Sequence, residues 1–142
     1  MRLPTKAVIV VRLLYGLFFA STGFVIAIFS TLGWPSPRQP TLAAQAFTDA
    51  LDAARIINPL LSATYIGGGL SLLFDRTAPL GVVLLAPAIG TIFFFHLVLS
   101  GAVVWGTANA LCLAILAWSY RDRLSGLWTY APAVPAPGRE TS

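Results

Sequence analysis

The chain has 142 residues, of which 57% are hydrophobic and 10% charged, with a formal net charge of +4. An ordinary soluble domain carries roughly 25% charged residues, so this chain is too poor in charge to surround a core with a polar shell, and its length suits one domain. Its basic residues stand singly at the ends of apolar runs, which excludes a nucleic-acid-tracking surface, and one cysteine (Cys112) with one histidine (His96) excludes a disulfide and a zinc site of the usual kind.

Residues 13–37, 56–74 and 77–120 contain no Asp, Glu, Lys or Arg. About 20 apolar residues cross the hydrocarbon core as a helix, so these runs hold one, one and two crossings. The predicted fold is all-α: a four-transmembrane-helix bundle with a short interfacial helix between the first and second crossings. The first crossing is expected over about 7–32, ending at Gly33-Trp34-Pro35. Its apolar run is far longer than the roughly 7–15 residues of a signal-peptide core and is interrupted by Arg12, so it is read as a retained helix. A loop over 35–41 carries Pro35, Pro37 and Pro40. Residues 42–55 set Phe47, Leu51 and Ala54 on one side of a short amphipathic helix that lies on the membrane surface or caps the bundle. The second crossing spans about 56–74. A polar turn at 75–79 follows, with Pro79 suited to a first helical turn. The third spans about 80–99, with Pro87 freeing the Val83 carbonyl and kinking the helix, and Ser100-Gly101 breaks the run before the fourth, about 103–120. Residues 1–123 thus form the membrane domain, and 124–142 a flexible tail that becomes rich in Pro and Ala.

Orientation follows from Lys and Arg. One side holds Arg2, Lys6, Arg12, Arg76, Arg121, Arg123 and Arg139; the other holds Arg38 and Arg55. Both termini and the 75–79 turn are therefore expected in the cytoplasm, with Trp34 and Trp105 at the outer interface and Trp118 and Tyr120 at the inner one.

Small residues recur on the first crossing at Gly16, Ala20, Gly23 and Ala27, and on the second at Ala63, Gly67 and Ser71. Such stripes let neighbouring helices approach closely in lipid, where the hydrophobic drive is missing. Arg12 is a permanent charge inside a crossing. It either snorkels and pairs with Asp75 at the same face, or anchors an anionic ligand or lipid headgroup. Asn58, Ser62, Tyr65 and Gly69 give the second crossing a polar face that must point into the bundle. With His96 and Asn109 at a similar outer depth, these residues either satisfy one another as interhelical hydrogen bonds or line a pocket, His96 being suited to proton exchange with a quinone or water. Cys112 reads as a packing residue.

Three stretches together resemble the DoxX family of small bacterial membrane proteins: Arg12-Leu13-Leu14-Tyr15-Gly16-Leu17 with Gly23; Gly68-Gly69-Leu70 through Asp75-Arg76-Thr77-Ala78-Pro79-Leu80; and Leu85-Ala86-Pro87-Ala88 with Phe95-His96-Leu97, followed by Leu116-Ala117-Trp118-Ser119-Tyr120-Arg121. The resemblance implies a four-helix bundle in a bacterial cytoplasmic membrane and, through the family's namesake, a link to thiosulfate:quinone oxidoreduction. The chain departs from the family pattern at Thr64-Tyr65, where relatives often carry an acid, at Thr91 in place of Asn, and at Val25-Ile26, where a Lys often stands. What the resemblance implies is a scaffold or accessory subunit of a membrane redox system, with a candidate quinone or lipid pocket and no bound metal. The alternatives are an assembly protein that docks a partner helix, and a small permease. Expected partners are membrane lipid and another membrane subunit or a second copy of the chain.

Overall fold

The computed structural model describes residues 5–127, and among these there is helix but no strand. The helices are α1 (Thr5–Leu32), α2 (Leu42–Ala54), α3 (Ile57–Leu73), α4 (Ala78–Phe94, continued by a π-helical turn over Phe95–Ser100), α5 (Val103–Ser119) and the short α6 (Arg121–Leu124). Residues 124–127, the start of the expected tail, lie in helical turns; the remainder of the tail, like Arg2 and Arg139, lies outside the described residues.

Chain breaks fall where the backbone chemistry requires them. Gly33 takes a left-handed φ of 67°, which lets the Trp34 amide donate to the Phe29 carbonyl at 2.9 Å and closes α1. Thr41 caps α2 by accepting from the Ala44 amide at 3.1 Å, and its hydroxyl donates to the Leu99 carbonyl at 2.6 Å. One side chain therefore starts α2 and fastens it to the far end of α4. Pro79 lies in the first turn of α4, where its missing N–H costs nothing. The third predicted crossing does not stay α-helical to its end: residues 95–100 relax to π geometry before Gly101 (φ 72°) releases the chain.

The four long helices pack in a ring, α1 on α3, α3 on α4, α4 on α5 and α5 back on α1, with α2 laid across α3 and the π turn. Their shared core contains Tyr15 and Phe19 of α1, Tyr65 and Leu72 of α3, Leu85 and Ile89 of α4, and Leu116 of α5. Phe19 sits edge-on to both Tyr15 and Tyr65, with ring centroids 4.7 and 5.1 Å away.

The α1–α3 seam is made of small residues, but the α3 side differs from the expected stripe. A Cβ at Gly16 would stand 2.8 Å from the Gly69 carbonyl oxygen, and one at Gly23 would stand 2.9 Å from the Ser62 carbonyl oxygen. A Cβ on Gly69 would collide with the backbone nitrogen of Ala20. Ser62, Ile66 and Gly69 form the α3 face, whereas Gly67 has open space where its Cβ would be, and Ser71 turns back to donate to the Gly67 carbonyl at 2.7 Å. The reason is the 100° step per residue: Gly67 faces outward, Gly68 faces Leu85 of α4 and Gly69 faces α1.

Two helices, Lys6–Leu32 and Ala78–Ser100, are long and apolar enough to cross a membrane. A third span exists if Leu42–Ala54 and Ile57–Leu73, which meet at a bend of 94°, are taken together. Val103–Ser119 is apolar but has 17 residues. At 1.5 Å per residue that is about 25 Å, the short end of what spans a hydrocarbon core.

Candidate functional site

Polar side chains concentrate at two opposite ends of the ring. At the end where α3 meets α4, Asp75 joins three helices. Arg12 Nη1 of α1 lies 2.8 Å from Asp75 Oδ1 and also donates to Tyr120 Oη at 3.0 Å; Tyr120 Oη in turn donates to Asp75 Oδ1 at 3.1 Å. Arg123 of α6 adds an ion pair to Oδ2 at 3.0 Å and a hydrogen bond to the Asp75 carbonyl at 2.8 Å. The Arg12 residue is 6% exposed, whereas the Asp75 side chain is 60% exposed, so the network draws a buried cation to a carboxylate at the surface. Hydrogen bonds from Arg123 and Tyr120, helped by the Arg123 and Arg12 charges and opposed by slight desolvation, hold the Asp75 carboxyl below its usual range. The expected Arg12–Asp75 pair is present. Tyr120 and Arg123 were not anticipated as its partners, although they lie three residues apart on one helical face, with the Arg123 guanidinium 5.6 Å from the Tyr120 ring centroid.

The opposite end holds Asp52. Its carboxylate accepts from the Ser36 amide (2.9 Å), the Ser36 hydroxyl (2.7 Å) and Asn58 Nδ2 (2.7 Å), which ties the 35–41 loop to the α2–α3 junction. At that junction Arg55 caps α2 with a left-handed φ of 53°, the only positive φ of a residue other than glycine among the described residues. A residue with a Cβ is disfavoured there by about 1–2 kcal/mol.

The expected polar pocket disperses into separate contacts. Asn58 goes to Asp52. Ser62 donates to the Gly23 carbonyl at 2.8 Å across the α1–α3 seam. Tyr65 packs its ring in the core. Asn109 donates to the Trp105 carbonyl of its own helix at 2.9 Å, and its backbone carbonyl accepts from Tyr15 Oη at 2.9 Å. His96 lies in the π turn, where a Cβ on Gly106 would stand 2.8 Å from its own Cβ, and its Nδ1 is buried without a hydrogen-bond partner. Asn58, Ser62 and Asn109 each meet a carboxylate or a backbone carbonyl rather than one another, because helices this closely packed bring such acceptors nearer than they bring one another's side chains.

Two neighbouring cavities open at the Asp52 end. One, of about 540 Å³, runs along α1 from Phe18 past Val25 to Trp34 and is closed by Leu51, Asn58 and Leu61. The other, of about 870 Å³, lies above it between the end of α1 and Asp49, Asp52 and Arg55. Ser30, Trp34 and Asn58 line both. No titratable side chain lines the 540 Å³ cavity, Thr22 already donates to Phe18 and Asn58 to Asp52, and His96 lines neither space. Among the described residues, no three of His, Cys, Asp and Glu gather as a metal site. No family model, curated protein or solved structure matches the chain.

Proposed function

We propose that the protein is a DoxX-like integral membrane subunit of the bacterial cytoplasmic membrane, crossing it four times with both termini inside, and that it scaffolds or serves a membrane redox system while holding a lipid. The observation that carries the membrane reading is the ring's outer surface. Large apolar side chains, among them Leu14, Phe24, Ile28, Leu80, Val98 and Trp118, stand more than half exposed along α1, α4 and α5. Soluble proteins rarely leave contiguous apolar patches beyond a few hundred Å² in water. The link to a redox system rests on the DoxX resemblance, and the apolar lining of the 540 Å³ cavity suits the acyl chain of a lipid. The test is purification from native membranes. The protein is expected to resist alkaline extraction and to bring with it a subunit carrying a redox cofactor. Release by alkali overturns the membrane reading; isolation without such a subunit overturns the accessory role.

The assembly-protein reading has one observation in its favour. Ala63 is exposed and Gly67 has empty space before it, so a small-residue strip of α3 faces away from the ring. Gly67→Leu is expected to abolish retention of a partner helix under this reading, while leaving the ring intact; Gly23→Leu does not discriminate, because Gly23 belongs to the α1–α3 seam.

A further inference from the structure

The two cavities at the Trp34 end differ in chemistry as the two parts of an amphiphile do. The 540 Å³ space is lined mainly by apolar atoms of α1, α2 and α3, and its volume falls within the roughly 300–1,000 Å³ typical of small-molecule sites. Phe18 and Val25 on its wall are 40% and 52% exposed, so the groove is open along the apolar flank of the ring. The adjoining 870 Å³ space is bounded by two carboxylates, Asp49 and Asp52, and one guanidinium, Arg55.

We propose that the two spaces form one binding site for a phospholipid whose head carries both a phosphate and a primary ammonium, with an acyl chain in the groove, the phosphate at Arg55 and the ammonium beside Asp49 and Asp52. The inference rests on the membrane reading above and goes beyond it in naming the occupant.

Charge complementarity selects that head. Among the described residues the Arg55 side chain has no hydrogen-bond or ion-pair partner, although it stands at the rim of a cavity on a backbone conformation that usually falls to glycine. A phosphate supplies the bidentate acceptor a guanidinium fits. Asp52 is held by Ser36 and Asn58 but keeps its charge, and Asp49 accepts only from Gln45, at 2.7 Å. A head with a phosphate and no cation meets two carboxylates for one guanidinium. A quinone or diacylglycerol offers Arg55 carbonyl acceptors but no anion to balance its charge. A quaternary ammonium has no N–H to donate to the carboxylates, whereas a primary ammonium has three.

The experiment is native mass spectrometry of the membrane-purified protein equilibrated with an equimolar mixture of phosphatidylethanolamine, phosphatidylglycerol and phosphatidylcholine of the same acyl chains, together with a quinone. Phosphatidylethanolamine is expected to be retained preferentially. Arg55→Gln should lower that retention about tenfold, the loss of one charge-assisted contact, while Arg55→Lys keeps most of it. Thr22→Trp, which fills the groove, should lower retention of every lipid. Arg55 is exposed, so an unchanged thermal unfolding curve certifies the fold of Arg55→Gln. Equal retention of the three lipids, a preference for phosphatidylglycerol, phosphatidylcholine or the quinone, or undiminished phosphatidylethanolamine in Arg55→Gln overturns the proposal. A protein that withstands alkaline extraction yet shows one of these results defeats this inference alone; a protein released by alkali defeats the membrane reading with it.

Discussion

Arg12 Nη1 sits 2.8 Å from Asp75 Oδ1, and the two residues differ sharply in exposure, the guanidinium being buried and the carboxylate mostly open to solvent. This asymmetry decides what each loss costs. Asp75→Asn leaves a buried cation with only neutral acceptors, the amide oxygen and Tyr120, and should destabilise the protein by about 3 kcal/mol, the low end for stranding one member of a buried pair. Arg12→Met strands only an exposed carboxylate that still has Arg123, and should cost about 1 kcal/mol. Thermal unfolding of the two variants in detergent checks the order; equal costs would mean that the pair is not what holds α1 to the α3–α4 turn.

The same pair gives the protein an acid limit. The Asp75 carboxyl is lowered in the folded state, chiefly by hydrogen bonds from Arg123 and Tyr120. A lowered carboxyl contributes stability that is fully present above its unfolded value of about 3.9 and is lost as the pH falls through the folded value. The gap in melting temperature between the native protein and Asp75→Asn is therefore expected to be constant near neutrality and to narrow below about pH 4. A gap at pH 3 as wide as the gap at neutrality contradicts the assignment.

Glycine positions sort by what lies before them. Gly69→Ala drives a methyl into the Ala20 backbone, with the Gly16 carbonyl oxygen 2.7 Å away, and should cost about 1–3 kcal/mol by overpacking. Gly67→Ala meets nothing within 4 Å and should be neutral or stabilising by up to about 1 kcal/mol through helix propensity. Melting temperatures of the two adjacent variants provide the comparison, and a Gly67→Ala loss as large as that of Gly69→Ala would place the seam on the wrong face of α3.

The helices were legible because charge-free runs and breakers are local signals. The Gly33 and Gly101 ends, the Pro79 start and the α2 segment stand within a few residues of where the pattern puts them. The Arg12–Asp75 pair was legible because Arg12 is a charge inside a crossing and Asp75 an acid at the same membrane face. The polar pocket was not. A period of 3.5 says that Asn58, Ser62 and Tyr65 lie on one face, but not that backbone carbonyls of Gly23 and Trp105 lie closer than another side chain does. The choice between Gly67 and Gly69 at the seam depends on the rotation of α3 about its axis, which one helix's periodicity does not define. The left-handed Arg55 carries no sequence signal, since glycine or asparagine usually fills that conformation.

Orientation has a direct readout. In a Cys112→Ala background, Gln39→Cys in the loop after α1 should react with a membrane-impermeant maleimide on intact cells, and Arg76→Cys in the α3–α4 turn only after permeabilisation. Seven basic residues on one side against Arg38 and Arg55 on the other are the basis of this expectation. The reverse order would invert the topology, and labelling of both from outside would mean that the chain does not cross between them.

Asp52 organises the other end, and its removal should be felt in the loop before it is felt in the ring. Asp52→Ala deletes three acceptor contacts at once, two to Ser36 and one to Asn58, whereas Ser36→Ala deletes only the hydroxyl contact and keeps the amide one. Hydrogen bonds to a charged acceptor are worth about 1.5–3 kcal/mol when made, but these groups are only partly buried and water replaces part of what is lost. Asp52→Ala is thus expected to cost about 2 kcal/mol and Ser36→Ala less than half of that. Hydrogen exchange at the Ser36 amide should rise sharply in Asp52→Ala and modestly in Ser36→Ala, while amides of the α1–α3 seam keep their protection. Uniform loss of protection across both regions would show that Asp52 supports the whole fold, and unchanged exchange at Ser36 would remove it as the anchor of the 35–41 loop.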